Sequence, residues 1–219
     1  MNPIVALSIL FFIKSIKTLH ASEETNYEEL AGLFEGDIEL EDVDGLQFRS
    51  VHPLKKWPNR TLVYYMSPGQ FNSTAVELIK KAMSEISSKT CIKFRERCED
   101  DRNFVNITNN NTGCHSWIGR IQKPAPQQLN LYAPKDKIGC LVHGTIMHEF
   151  MHALGFYHEQ SRPDRDEYIT VVEENVIEGK NAQFKKYQPI DTLDTPYDLC
   201  SVMHYRTTAF SKVKTFQFV

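Results

Sequence analysis

The segment HGTIMHEFMHALGFYHEQ, residues 143–160, holds four of the chain's eight histidines and two glutamates. Within it, IMHEFMHALG carries apolar side chains at Ile146, Phe150 and Leu154, the spacing of a helical face, and Gly155 follows as a natural stop. On such a helix His148 and His152 stand one turn apart on the same face, about 6 Å along the axis, close enough to share one metal ion. Gly155 permits a sharp turn that returns His158 as a third nitrogen donor from outside the helix. Glu149 sits about 100° round from His148, where it reaches a water on the metal without being a ligand. Three neutral imidazoles leave one coordination position open, the pattern of a catalytic zinc; a closed structural site has four ligands, usually cysteines, and none lies between His148 and His158. Zinc held in this way acidifies its water towards a pKa of ~7 and polarises a carbonyl, with Glu149 as the general base that passes the water's proton to the leaving amine. No Ser or Cys nucleophile is needed. His20, His52, His115 and His143 lack this spacing and are expected at the surface or in turns.

The elements that must hold these groups are legible in part. TLVYYMS (residues 61–67) alternates and is rich in β-formers, so it reads as a strand. The stretch after it places Val76, Ile79, Met83 and Ile86 on one helical face, with Thr74 and Glu77 spaced for a capping box. IKF near Ile92, FVNIT near Phe104 and QLNLYA near Leu129 read as short strands, and NITNNNTG (residues 106–113) as a polar surface turn. A helix, short strands and a second helix predict an α+β domain.

The chain's 219 residues, 41% hydrophobic and 24% charged, suit one domain plus a short extra segment. No stretch is apolar enough for a membrane span. Residues 1–21 carry an apolar core from Ile4 to Ile13 and small residues near Ala21, as a secretory signal peptide does. Sequons at Asn59, Asn72, Asn106 and Asn110 agree with export and possible glycosylation, and five cysteines suggest disulfides with at least one thiol left over. Ser22–Phe48 holds ten acidic residues and no Lys or Arg in a chain whose net charge is −3, so a net-basic body follows an acidic strip. Nothing in charge or motif points to nucleic acid.

His148, Glu149, His152, Gly155, His158 and Glu159 form HExxHxxGxxHE, which resembles the zinc signature of the astacin family of secreted metalloendopeptidases, members of the metzincins. SVMHY resembles the methionine turn that follows it in that group. TCIKF, GCHSWIGR, GCLVHGTIMHE, FYHEQSRPDRDEYI and TPYDLCSVMHY are similar to family blocks, and the likeness runs from Trp57 to Phe210. The resemblance implies a metzincin-type α+β fold, with a twisted mixed sheet and two helices in the N-terminal subdomain. It implies one Zn²⁺ held by His148, His152 and His158, Met203 lying beneath the metal, and Tyr205 as a displaceable ligand that stabilises the transition state. It further implies a Cys114–Cys140 disulfide, and a role for Glu159 in burying a new N-terminus after activation. FEGD (residues 34–37) resembles the family's propeptide motif, in which Asp37 caps the zinc of the latent enzyme and Gly36 lets the backbone pass close to the metal. Residues 22–49 would then be an acidic propeptide, removed by an activating protease cutting near Arg49, and residues 50–219 a catalytic domain acting on protein or peptide substrates. The ending FSKVKTFQFV keeps the likeness only to Lys212. The resemblance therefore implies a truncated C-terminal subdomain without the partner of Cys91, leaving Cys91, Cys98 and Cys200. It also leaves open a truncated zinc-binding isoform, or an incomplete gene model, with little or no proteolysis.

Overall fold

A computed structural model describes residues 27–40, 56–135, 137–186 and 191–212. The signal-peptide region and Arg49 lie outside them. Six strands form one sheet in the order β1-β5-β6-β4-β2-β3. They are β1 (Ile38–Glu39), β2 (Thr61–Met66), β3 (Lys93–Glu96), β4 (Phe104–Thr108), β5 (Cys114–Trp117) and β6 (Pro126–Leu131). Every pairing is parallel except β5 with β6, so the sheet is mixed, as expected. The helices are α1 (Tyr27–Leu30), α2 (Ser73–Lys89) and α3 (His143–Leu154). Four of the strands, β2, β3, β4 and β6, are at or near the stretches read as strands, while β1 and β5 are too short and polar to announce themselves.

Helix α2 buries Ala75, Ile79, Ala82, Met83 and Ile86, with Val76 only half-buried at the edge of that face. Its start differs from the expected capping box. Asn72 is the N-cap, its Oδ1 accepting from the Ala75 N–H at 2.9 Å, so Thr74 and Glu77 both lie inside the helix rather than at its cap. The α2 face meets β2, β4 and β6 and the Ile146–Phe150 face of α3 in one apolar core that includes Leu62, Val105, Ile107, Leu129 and Leu131. Asn106–Thr108, read both as the end of the FVNIT strand and as the start of a surface turn, completes the central strand β4; only residues 109–113 are loop.

Beyond Gly155 the described chain has no α-helix and no strand, only short 3₁₀ turns such as Glu159–Ser161 and Asn181–Phe184. A second small core of Ile169, Val176, Phe184, Tyr197, Ala209 and Phe210 lies there. Arg162 organises much of the rest. Its guanidinium reaches Glu159 at 3.0 Å, Asp164 at 2.7 Å and the Thr195 carbonyl at 2.9 Å, and it lies over the Tyr197 ring.

Candidate metal centre and cleft

Helix α3 ends as its sequence requires. Gly155 takes φ +107°, the left-handed conformation glycine adopts freely, and its N–H closes on the Met151 and His152 carbonyls. The chain then turns and brings His158 back to the helix. The Nε2 atoms of His152 and His158 lie 3.0 and 3.2 Å from that of His148. Each Nδ1 is engaged elsewhere: His148 with the Val202 carbonyl at 2.8 Å, His152 with the Phe156 carbonyl at 2.7 Å and His158 with the Glu35 carboxylate at 2.7 Å. The two carbonyls can only accept, so the neutral rings of His148 and His152 carry hydrogen on Nδ1 and turn bare Nε2 lone pairs towards one another. Facing lone pairs repel unless a cation lies between them. A tetrahedral zinc with Zn–N of about 2.0–2.1 Å needs nitrogens about 3.3–3.4 Å apart, close to what is found.

Asp37 completes the set. Its Oδ2 is 3.1 Å from His148 Nε2, its Oδ1 is 3.4 Å from the Nε2 atoms of His152 and His158, and all four ligand atoms lie within 4.8 Å of one another. Three imidazoles and one carboxylate are a zinc donor set, and the residues fit that ion. Electrostatics agree. Burial opposes the charged form of Asp37, but His158 and His152 outweigh it and hold the carboxyl well below its ordinary range. Burial likewise opposes charge on His158, yet Asp37 and Glu35 on either side push it up to about 10, whereas burial takes His152 down to about 4.

Glu149 is fully buried, and neither carboxylate oxygen has a hydrogen-bond partner among the described residues. Burial, with Asp37 adding to it, pushes its carboxyl well above the usual value. The Tyr205 ring stands 4.7 Å from that of His158, and its hydroxyl donates to the Glu35 carbonyl. Burial pushes that hydroxyl up as well. Met203 packs against Met151 of α3, and its carbonyl accepts from the Glu159 N–H at 2.9 Å. Glu159 accepts from Arg162 and from the Asp198 N–H at 2.9 Å, which accounts for its carboxylate in this state.

Gly36 has φ +90°, and a Cβ there would meet the Phe210 ring at 3.1 Å. The positive φ and the Phe210 ring both favour glycine at this turn, beside Asp37. Cys114 and Cys140 form the expected disulfide, tying β5 to the turn before α3. Cys91, Cys98 and Cys200 are free thiols. Of the sequons, Asn59, Asn72 and Asn110 are exposed, while Asn106 lies between β2 and β6 with its Thr108 buried, which is poor access for a glycan.

Two residues escaped the sequence reading. Glu35, in the left-handed region at φ +47°, accepts from the Ser161 hydroxyl as well as facing His158. Its place inside FEGD was the only available signal. His115, expected at the surface, is buried on β5 beside Glu39. A four-residue strand with Ser and His in it carries no pattern that announces burial. No described helix is long and apolar enough to cross a membrane.

Residues 49–219 match the family model described as Astacin, a peptidase family, and the match runs to the last residue. The chain is 43% identical to zinc metalloproteinase nas-4 of Caenorhabditis elegans over 159 residues, 72% of this chain and 48% of that protein. It is 37% identical to meprin A subunit beta of Rattus norvegicus over 185 residues, 81% of this chain and 24% of that one. The chain thus spans about half the length, or less, of the curated relatives it matches. Among solved structures it is similar to high choriolytic enzyme 1, a hatching enzyme zinc-protease from Oryzias latipes, with a TM-score of 0.66 and 33% identity over 82% of this chain and 84% of that chain. The metal helix, its glycine stop and the returning third histidine therefore sit in a chain that belongs to the astacin family.

Proposed function

We propose that the chain is a secreted zinc-dependent endopeptidase made as a zymogen, and that the geometry described is its latent state. One observation carries the reading: three imidazole nitrogens and the Asp37 carboxylate share a single point, beside a buried, unpartnered Glu149. The donor that would otherwise be water is a carboxylate from the same chain. Zinc, when bound, supplies an acidified water and a Lewis acid for the scissile carbonyl. His148, His152 and His158 hold it, and the carbonyls behind the first two fix their tautomers. Once residues 22–49 are cut near Arg49 and withdrawn, Glu149 is left as the general base, taking a proton and delivering it to the leaving amine. Burial, the larger cause of its raised pKa, does not depend on residues 22–49, and a carboxyl raised in this way suits a group that must both accept and release a proton. The Tyr205 hydroxyl, freed from the Glu35 carbonyl, becomes a donor for the oxygen of the reacting carbonyl. The edge of β5, freed from β1, offers backbone groups to an extended protein or peptide substrate. Secretion is supported by the leader-like residues 1–21, and the disulfide suits an oxidising compartment.

The test is cleavage of a denatured protein by the full chain before and after limited trypsin treatment. Activity should appear only after cleavage, vanish with a zinc chelator and be absent in Glu149→Ala. Activity that survives the chelator or the substitution would overturn the mechanism. Full activity without trypsin would overturn latency.

A further inference from the structure

We infer that Glu35 is a positioning residue for the metal: acting through His158, it makes the latent chain hold zinc more tightly than the trimmed chain does. Removal of residues 22–49 then loosens the ion as well as uncovering it. The inference deepens the latent-state reading above and rests on it. The two carboxylates of the segment approach the metal point from different sides. Asp37 faces the Nε2 atoms. Glu35 stands behind the third ring, its Oε2 2.7 Å from His158 Nδ1, with its side chain wholly buried. Its other oxygen accepts from the Ser161 hydroxyl, and its backbone carbonyl from that of Tyr205.

The three rings are not supported alike. His148 and His152 lie on one helix, and each Nδ1 meets a neutral backbone carbonyl. His158 comes from the turn-built half, at the N-cap of the short Glu159–Ser161 turn. It is the ring whose own element holds it least, and the one backed by a carboxylate. Glu35 reaches His158 and Ser161 together and so closes that turn from outside. A carboxylate behind a ligating imidazole fixes the ring's orientation and strengthens its donation to a metal more than a carbonyl does. Charge points the same way. A divalent ion among neutral rings brings two positive charges into a buried place, and Asp37 and Glu35 supply two negative ones, while burial disfavours a further charge on Glu149. The backbone of Glu35 is itself constrained, at φ +47° in the left-handed region that a glutamate enters at a cost, so the carboxylate is held in place rather than loosely docked. Once the segment leaves, His158 Nδ1 and the Ser161 hydroxyl lose the partner they share.

The test is zinc affinity, read by competition with a chromophoric chelator on the full uncut chain. It is read again after limited trypsin cleavage near Arg49 and removal of the N-terminal fragment. Glu35→Gln keeps the shape and removes the charge, and it should raise the zinc Kd of the uncut chain about 10–100-fold. After trimming, wild type and Glu35→Gln share one sequence and should share one Kd, weaker than that of the uncut wild type. Equal affinity of the two uncut chains overturns the inference. So does a difference that survives removal of the fragment, since Glu35 is then gone. Cobalt in place of zinc separates support of His158 from loss of Asp37. Uncut Glu35→Gln should keep the intense visible absorption of a four-coordinate ion, with its maximum shifted, whereas collapse of the band means that Asp37 has been displaced and overturns the inference. Should Glu35→Gln fail to fold, Ser161→Ala decides. It frees one carboxylate oxygen and should raise the Kd of the uncut chain about fivefold, and no change overturns the inference. Every arm reads metal rather than cleavage of a substrate, so a trimmed chain that cuts nothing defeats the peptidase reading while the zinc comparison still decides this one.

Discussion

The two halves of the molecule are held together by different means. Up to Leu154 the chain is periodic, and its sheet and two long helices close on an apolar core. After Gly155 it is a run of short turns, with one small apolar cluster and a web of bonds from Arg162, Gln160 and Glu159 to loop carbonyls and amides. Yet each half supplies part of the metal site: His148, Glu149 and His152 come from the first, and His158, Met203 and Tyr205 from the second. Chemistry that needs one fixed point has been built across a regular scaffold and an irregular one. The irregular part must then be fixed by specific polar contacts, because it lacks the repeating backbone pattern that would fix it otherwise.

Arg162→Ala tests that difference most severely. It leaves Glu159 and Asp164 without their partner and should cost about 3–5 kcal/mol. The loss should be local first: hydrogen exchange should rise across residues 156–205 while the amides of β4 and β6 stay protected. Uniform loss of protection would show that the halves are not separable. Ile79→Ala, in the apolar core, should cost about 2–5 kcal/mol and behave in the opposite way, lowering the global denaturant midpoint without selective exposure of the second half. Tyr205→Phe should leave stability nearly unchanged but lower kcat of the activated chain about a hundredfold, with KM little altered. A fall confined to KM would assign the tyrosine to substrate binding instead. Asn72→Ala removes the cap of α2 and should cost about 1 kcal/mol, read as a shift in thermal midpoint.

The smallest effect belongs to the surface. The Arg95 guanidinium and the Cys98 N–H hold the Asp101 carboxyl down at about 2. Because its folded value lies below the unfolded one, the stability it lends is present above pH ~3.8 and lost as pH falls towards 2. Exposure and salt screen the pair, so Asp101→Asn should flatten the acid limb of the stability curve only slightly, and hardly at all in high salt.

The division also explains what could be read from the residues. Periodic elements were legible: the α2 face, three strands near their observed bounds, and the helix that presents His148 and His152 with Gly155 as its stop. The third ligand was legible because a glycine at a fixed offset is a local signal. Groups that matter through distant partners were not. Glu35 meets His158 and Ser161 across more than a hundred residues, and His115 meets Glu39 across a strand pairing too short to show as alternation. Side chains such as these acquire their meaning only when the fold has brought another part of the chain to them. The same reason settles Asn106, which FVNIT placed in a strand and NITNNNTG in a turn: a run of asparagines looks like a loop until β2 and β6 are seen on either side of it.

Residues 27–40 touch both halves at once. Their backbone extends the sheet at β5, while Glu35 and Leu33 accept from Ser161, Tyr205 and Gln183 below. They act as a rivet, and a rivet transmits load. A chain from which residues 27–40 were removed would lose these bonds, and its turn-built half would open more readily from the sheet.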